Sequence, residues 1–255
     1  MNKKNKKGSY DDELLLQGLH YLKLSSIGTV YENLAILAAK ESWTFPQYLT
    51  ELINEEVTAR KERSMGRRVK AAHFPVIKTR DNFEWHWPKK INRMQIEHFF
   101  RLSFLKNASN IIFIGGTGLG KTHLSIALGY QACLKGKQVL FTSAIDMINS
   151  LNTAQKAGRF VPEIKKFCKP HLLIIDEVGY LPIDKKGADL LFQVISKRYE
   201  QNSTLITTNK PFKKWAEIFS NDSTLTSAFL DRLLHHAEVS IIEGASYRMK
   251  KRVKE

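Results

Sequence analysis

Between residues 111 and 129 the chain reads IIFIGGTGLGKTHLSIALG, where an apolar run breaks into a glycine-rich turn and then resumes with helical periodicity. Gly115, Gly116, Thr117, Gly118, Leu119, Gly120, Lys121 and Thr122 fill G-x-x-x-x-G-K-[ST] at every fixed position. The flanks agree: NIIFI supplies a buried strand, and THLSIALGYQACLKG supplies a helix closed by Gly136. Such a turn needs glycine because the backbone must curl until successive N–H groups point inward at phosphate oxygens. The start of the following helix adds favourable potential for an anion. Residues Gly115 to Thr122, with His123, are thus the expected nucleotide-phosphate site. In it Lys121 reaches the β- and γ-phosphates of ATP and the Thr122 hydroxyl ligates Mg²⁺.

Residues 170–178, PHLLIIDEV, supply a second apolar strand that ends in Asp176 and Glu177. A carboxylate there can hold the magnesium ion and a second can polarise the attacking water, so Asp176 is assigned to the metal and Glu177 to the base. Short β-branched or aromatic segments at 137–144, 203–210 and 237–244 read as further strands alternating with helices. This pattern predicts an α/β domain with a five-stranded parallel sheet. Asn209 ends the fourth strand on the side where ligands collect, and reads as a sensor of the γ-phosphate. Arg232 lies on a helix before the last strand and is either a guanidinium offered to a neighbouring subunit's nucleotide or half of a surface pair with Asp231. His235 and His236 read as a surface or helix-end pair, with no third ligand at metal spacing.

With 255 residues and 43% apolar content the chain can bury a full core plus a smaller domain. It has no apolar run long enough for a membrane span and no secretory leader pattern, so a cytoplasmic location is expected. Cys133 and Cys168 have neither disulfide density nor metal spacing and are expected to be buried, reduced thiols. A net charge of +15 favours a polyanionic partner, nucleic acid first.

In the N-terminal third, Leu14, Leu15, Leu16, Leu19, Leu22, Leu34, Ile36, Leu37, Leu49, Leu52 and Ile53 recur at helical spacings, which predicts a small bundle. Ser42 and Thr44-Phe45-Pro46 mark a helix start. The segment EEVTARKERSMGRRVKAAHFP then places Arg60, Arg67, Arg68 and Lys70 along one side, either against DNA or as a solvated face. The expected boundaries are a helical domain at 1–70, a linker with aromatic residues at 71–105 and an ATPase domain at 106–255.

The order of phosphate loop, Asp-Glu strand, Asn-ended strand and arginine before the last strand resembles the AAA+ ATPases. Within them GGTGLGKTHLSIALG, LLIIDEVGYLP, ITTNKPFKKWAEIF and AFLDRLLHHAEVSIIEGASYR resemble the DnaC/IstB-like branch, from about residue 10 to the end. That branch lacks the helical lid usual after the last strand, and about a dozen residues follow Glu243 here. Arg248 either substitutes for the lid's arginine or is a solvated tail residue. The N-terminal region, with Phe74, Pro75, Lys78, Phe83 and Trp85, resembles the IstB-like helpers of insertion-sequence transposases, and its aromatics are expected to pack on the ATPase domain.

The resemblance implies an ATP-dependent regulator of DNA transposition that binds duplex DNA without strong sequence preference and recruits or activates a transposase. It further implies homo-oligomers, as a ring or helical filament, with ATP at subunit interfaces. Lys156, Arg159, Lys165 and Lys166 lie in the segment that faces nucleic acid in initiator-type relatives, and are either DNA contacts or a solvated helix face. A helicase loader acting on single-stranded DNA and a non-hydrolysing nucleotide-gated adaptor are the alternatives. Glu177 argues against the adaptor.

Overall fold

The computed structural model describes residues 5–252, with side chains for residues 12–249; residues 1–4 of the basic N-terminus and residues 253–255 lie outside it. The chain divides into two compact units, Met1–Gly66 and Arg67–Glu255.

The first unit holds α1 (Asn5–Tyr21), α2 (Ser25–Lys40) and most of α3 (Phe45–Ala71). Helix α3 starts where the sequence signals it. The Thr44 hydroxyl accepts from the Gln47 amide at 3.4 Å while the Gln47 side chain accepts from the Thr44 N–H at 2.7 Å, a reciprocal cap for two otherwise orphaned donors. Few apolar side chains here are fully covered, Ile27 and Leu52 among them, and a carboxylate does much of the joining. Glu56, 3% exposed, accepts from the Ser26 N–H at 2.8 Å and the Ile27 N–H at 3.4 Å, so a residue of α3 caps the start of α2. It also pairs with Arg60 at 2.8 Å and Arg63 at 3.1 Å. The Arg60 hydrogen bond, helped by those from the two amides, outweighs burial and holds the carboxyl down at about 2.

The second unit is a five-stranded parallel sheet in the order β2-β3-β4-β1-β5, formed by β1 (Asn110–Gly115), β2 (Val139–Ser143), β3 (Leu172–Val178), β4 (Ser203–Thr208) and β5 (Ala237–Ile242). Its strands read as continuous apolar runs because both faces are covered. Period-two alternation sends Ile111, Phe113, Leu172, Ile174 and Leu205 to one core, and Ile112, Leu173, Ile175 and Ile206 to the other. The first core is closed by α4 (Arg93–Phe99) and α5 (Lys121–Leu134), through residues such as Phe99 and Leu128. The second is closed by α6 (Ala144–Lys156), α7 (Phe160–Cys168), α8 (Lys185–Arg198), α9 (Trp215–Ile218) and α10 (Ser223–Leu234), with Trp215 fully buried. Among the described residues, only α11 (Tyr247–Arg252) follows β5.

The segment between the units' helices and β1 is more than a connector. Ala72, Phe83, Ile96, Phe99, Leu102 and Phe104 are all buried in the core beside α5. Cys133 is buried, which pushes its thiol up to about 11, whereas Cys168 is only half-buried because it ends α7 at the surface; both are free thiols. Arg198 is 1% exposed and, among the described residues, has no carboxylate partner. Its guanidinium is satisfied by the carbonyls of Phe167, Cys168, Pro170 and Ser203 and by the Thr204 hydroxyl, tying the end of α8 to the start of β4.

Because Glu56 titrates lower in the folded unit than in an unfolded chain, its stabilisation is complete above the ordinary carboxylate range and fades as pH falls toward 2. Glu56→Ala should destabilise the first unit by about 2 kcal/mol at neutral pH. Faster hydrogen exchange at the Ser26 and Ile27 amides would report this, and unchanged protection would contradict it.

Candidate functional site

The phosphate loop leaves the end of β1 at Gly115 and enters α5 at Lys121. Gly118 and Gly120 carry the left-handed backbone that the curl requires, with φ of 72° and 88°. Space is equally restrictive, since a Cβ at Gly120 would meet the Phe83 ring at 2.5 Å and one at Gly118 would meet the Ser246 hydroxyl. Side chains from before β1 and after β5 therefore rest directly on the loop.

The polar groups of the loop hold one another. Lys121 Nζ donates to the Gly115 carbonyl at 2.8 Å and the Gly116 carbonyl at 2.7 Å. Burial lowers the Lys121 ammonium, opposed by the charges of Asp176 and Glu177 and reinforced by that of Arg248. The Thr122 hydroxyl lies 3.0 Å from both carboxylate oxygens of Asp176. Thr207 on β4, 1% exposed, donates its hydroxyl to the same carboxylate at 2.6 Å and accepts the Glu177 N–H at 2.9 Å.

That last bond explains the backbone around the acidic pair. Pairing of β3 with β4 shifts register between Ile175 and Val178, and Glu177 takes a left-handed φ of 61°. A bulge at this point keeps Asp176 buried and turns Glu177 outward into the cavity. A threonine within a β-branched strand carries no sequence signal of its own, and Thr207 is such a residue. Its position beside Asn209 in ITTN was the available clue.

The cavity beside the loop has a volume of about 420 Å³, and Thr117 to His123, Glu177, Thr207, Thr208 and Asn209 line it. Of the predicted nucleotide residues, Gly115 and Gly116 do not line it; their carbonyls accept from Lys121. Its far wall comes from residues 75–88 and from the tail, with Tyr247 and Arg248. These walls are latched together: Trp87 Nε1 donates to the Ala245 carbonyl at 3.0 Å, and the Tyr247 hydroxyl donates to Glu84 at 2.6 Å. The Tyr247 N–H donates to the Gly118 carbonyl at 2.9 Å. Phe83 packs edge-on against Trp85 and His123, at 4.9 and 5.3 Å between ring centres. His123 donates from Nε2 to the Thr79 carbonyl at 2.9 Å, and burial lowers its pKa despite that bond.

Other predicted residues sit elsewhere. Arg232 does not line this chain's cavity; it donates to Ser196 on α8 at 2.7 Å and lies 4.6 Å over the Phe192 ring. Arg60 is held by Glu56 and by the Lys23 carbonyl, and half-buried Arg68 donates to the Cys133 carbonyl, whereas Arg67 and Lys70 are exposed. Lys156, Arg159, Lys165 and Lys166 form an exposed basic stretch along α6, the following turn and α7, with Lys166 paired to Glu163 at 3.3 Å.

A phosphate loop between β1 and α5, with a buried aspartate on β3 beside it in a β2-β3-β4-β1-β5 sheet, defines a P-loop nucleotide-binding domain of AAA+ type. The family described as "IstB-like ATP binding protein" matches residues 17–255, and the chain belongs to it. It is 40% identical to an insertion sequence IS232 ATP-binding protein of Bacillus thuringiensis subsp. berliner, over 96% of each chain. It is 36% identical to the insertion sequence IS21 ATP-binding protein of Pseudomonas aeruginosa, over 92% of this chain and 89% of that one. Among solved structures, the DnaC helicase loader superposes with a TM-score of 0.55 at 22% identity, covering 65% of this chain and 96% of that chain. AMPPCP-bound DnaA from Aquifex aeolicus gives 0.55 at 23% identity, covering 69% and 54%. Those two likenesses concern the fold alone. No helix among the described residues is long and apolar enough to cross a membrane.

Thr207→Val should strand the Glu177 N–H and remove a donor from Asp176, lowering stability by about 1–3 kcal/mol. Thr207→Ser should recover most of the loss. Thermal denaturation of both variants checks this, and equal melting of the valine variant and the parent would contradict it.

Proposed function

We propose that this protein is an ATP-dependent helper of DNA transposition, which assembles on duplex DNA with ATP at its subunit interfaces, recruits or activates a partner transposase, and is reset by hydrolysis. The observation that carries the reading is the Thr122–Asp176–Thr207 network beside the phosphate loop, in a chain whose relatives are named as insertion-sequence ATP-binding proteins.

In this reading Lys121 leaves the loop carbonyls for the β- and γ-phosphates, and the loop amides and the start of α5 cradle them. The Thr122 hydroxyl and the Asp176 carboxylate are hard oxygen donors at hydrogen-bonding distance, a set that suits Mg²⁺. Bound there, the ion neutralises charge on the phosphate oxygens. Glu177, turned into the cavity by the bulge, takes the proton of the attacking water, and Asn209 orients that water against the γ-phosphate. Arg232, which does not line its own chain's cavity, serves in this reading the nucleotide of a neighbouring subunit, which makes assembly conditional on ATP. A head-to-tail interface of this kind extends into a filament or closes as a ring.

Charge distribution favours DNA contact by the second unit. Residues 1–66 carry nine Lys and Arg against nine Asp and Glu, so the whole excess of +15 falls on residues 67–255. Arg67, Lys70, Lys156, Arg159, Lys165 and Lys166 are the proposed phosphate contacts, and binding through them falls steeply with salt. Arg60, tied to Glu56, contributes less than its place in the basic run implies.

Sedimentation of the protein with duplex or single-stranded DNA, each with ATP, ADP or no nucleotide, tests the proposal. Large assemblies are expected on duplex with ATP, and Glu177→Gln should make them persist. Preference for single strands would favour a helicase loader, and assemblies indifferent to nucleotide would overturn the proposal.

A further inference from the structure

At the end of the sheet remote from the phosphate loop, Glu200, His235 and His236 bring one carboxylate oxygen and two ring nitrogens within 4.8 Å of one another. Nothing in the nucleotide chemistry uses them. We propose that they form a binding site for a divalent transition-metal ion of the zinc class.

The three side chains come from two turns that meet only in the fold, which is why the sequence offers no third ligand for the histidine pair. Glu200 lies in the turn between α8 and β4, and the histidines lie in the turn between α10 and β5. Glu200 Oε1 is 3.4 Å from His236 Nε2 and 3.8 Å from His235 Nδ1. Zinc holds N and O ligands at about 2.0–2.2 Å in a tetrahedron, which sets its ligand atoms roughly 3.4 Å apart. One of these pairs already has that spacing, and small rotations of exposed side chains bring in the rest. Two imidazoles and one carboxylate select zinc, cobalt, nickel or copper over magnesium, which prefers oxygen alone.

Although the donor groups are exposed, their backbones are tethered. Buried Asn110, the first residue of β1, donates its N–H to the His236 carbonyl at 2.7 Å and its side-chain amide to the Leu233 carbonyl at 2.9 Å. Its side-chain oxygen accepts the Thr204 N–H at 2.9 Å, so one residue ties the turn before β5 to the start of β4. On the other side, the Arg198 carbonyl accepts the Gln201 and Asn202 N–H groups, and Glu200 between them takes a left-handed φ of 57°. Tyr199 places its hydroxyl 2.7 Å from His235 Nδ1. An ion here closes the seam between the ends of α8 and α10, one helical turn from Arg232 and its bond to Ser196.

Calorimetric titration of the nucleotide-free, full-length protein with ZnCl₂ tests the site. One saturable zinc per chain is expected, with affinity falling roughly tenfold or more in Glu200→Gln and in His236→Ala. Zinc should also raise the melting temperature of the parent but not of either variant. Cys168→Ser, which alters an unrelated thiol, should bind as the parent does. Absence of saturable binding, or binding that neither Glu200→Gln nor His236→Ala weakens, would overturn the proposal.

Discussion

The second unit is organised around one carboxylate. Asp176 is nearly buried at the end of β3 and has hydroxyl partners on both sides, Thr122 from the phosphate helix and Thr207 from the neighbouring strand. A buried carboxylate without such partners would be costly, so the loop, β3 and β4 must keep their mutual register for these bonds to form. Thr207 extends the constraint by capturing the Glu177 N–H, which makes the bulge and the outward turn of Glu177 part of the same arrangement. The proposed metal ligands and the proposed base are thus set by one hydrogen-bond network.

A second constraint is how the site is walled. In the described structure the far side of the cavity is made by residues 75–88 and the tail around Tyr247, joined by Trp87, Glu84 and the Gly118 carbonyl. Phe83 and Ser246 press on Gly120 and Gly118, so the loop glycines are required by close approach as much as by their dihedral angles. The basic excess belongs to this same unit, and the neutral first unit depends on an internal ion cluster around Glu56.

Much of this was legible in the residues because the signals were local. The phosphate loop, the Asp-Glu strand and the alternation of strands and helices each lie within a short window, and the parallel sheet followed from them. What escaped depends on contacts between distant segments. Thr207 looks like any β-branched strand residue, Arg60 looks like an unpaired cation until Glu56 is seen to bond it, and Glu200 lies 35 residues before His235. Arg248 was ambiguous as a tail residue and is found lining the cavity, since the tail bonds back to the loop through the Tyr247 N–H. The segment 71–105, expected as a linker whose aromatics pack on the ATPase domain, does place Phe83, Phe99 and Phe104 in the core beside α5.

The central claim is that groups now satisfying one another, Lys121 on the loop carbonyls and Thr122 on Asp176, are the ones that exchange these partners for nucleotide. The most direct measurement is calorimetric titration of ATP with Mg²⁺ into the parent and into Lys121→Ala. Removing the ammonium should cost about 3 kcal/mol of binding, roughly a 100-fold loss of affinity. ATP affinity equal to that of the parent, in a variant that melts normally, would contradict the account.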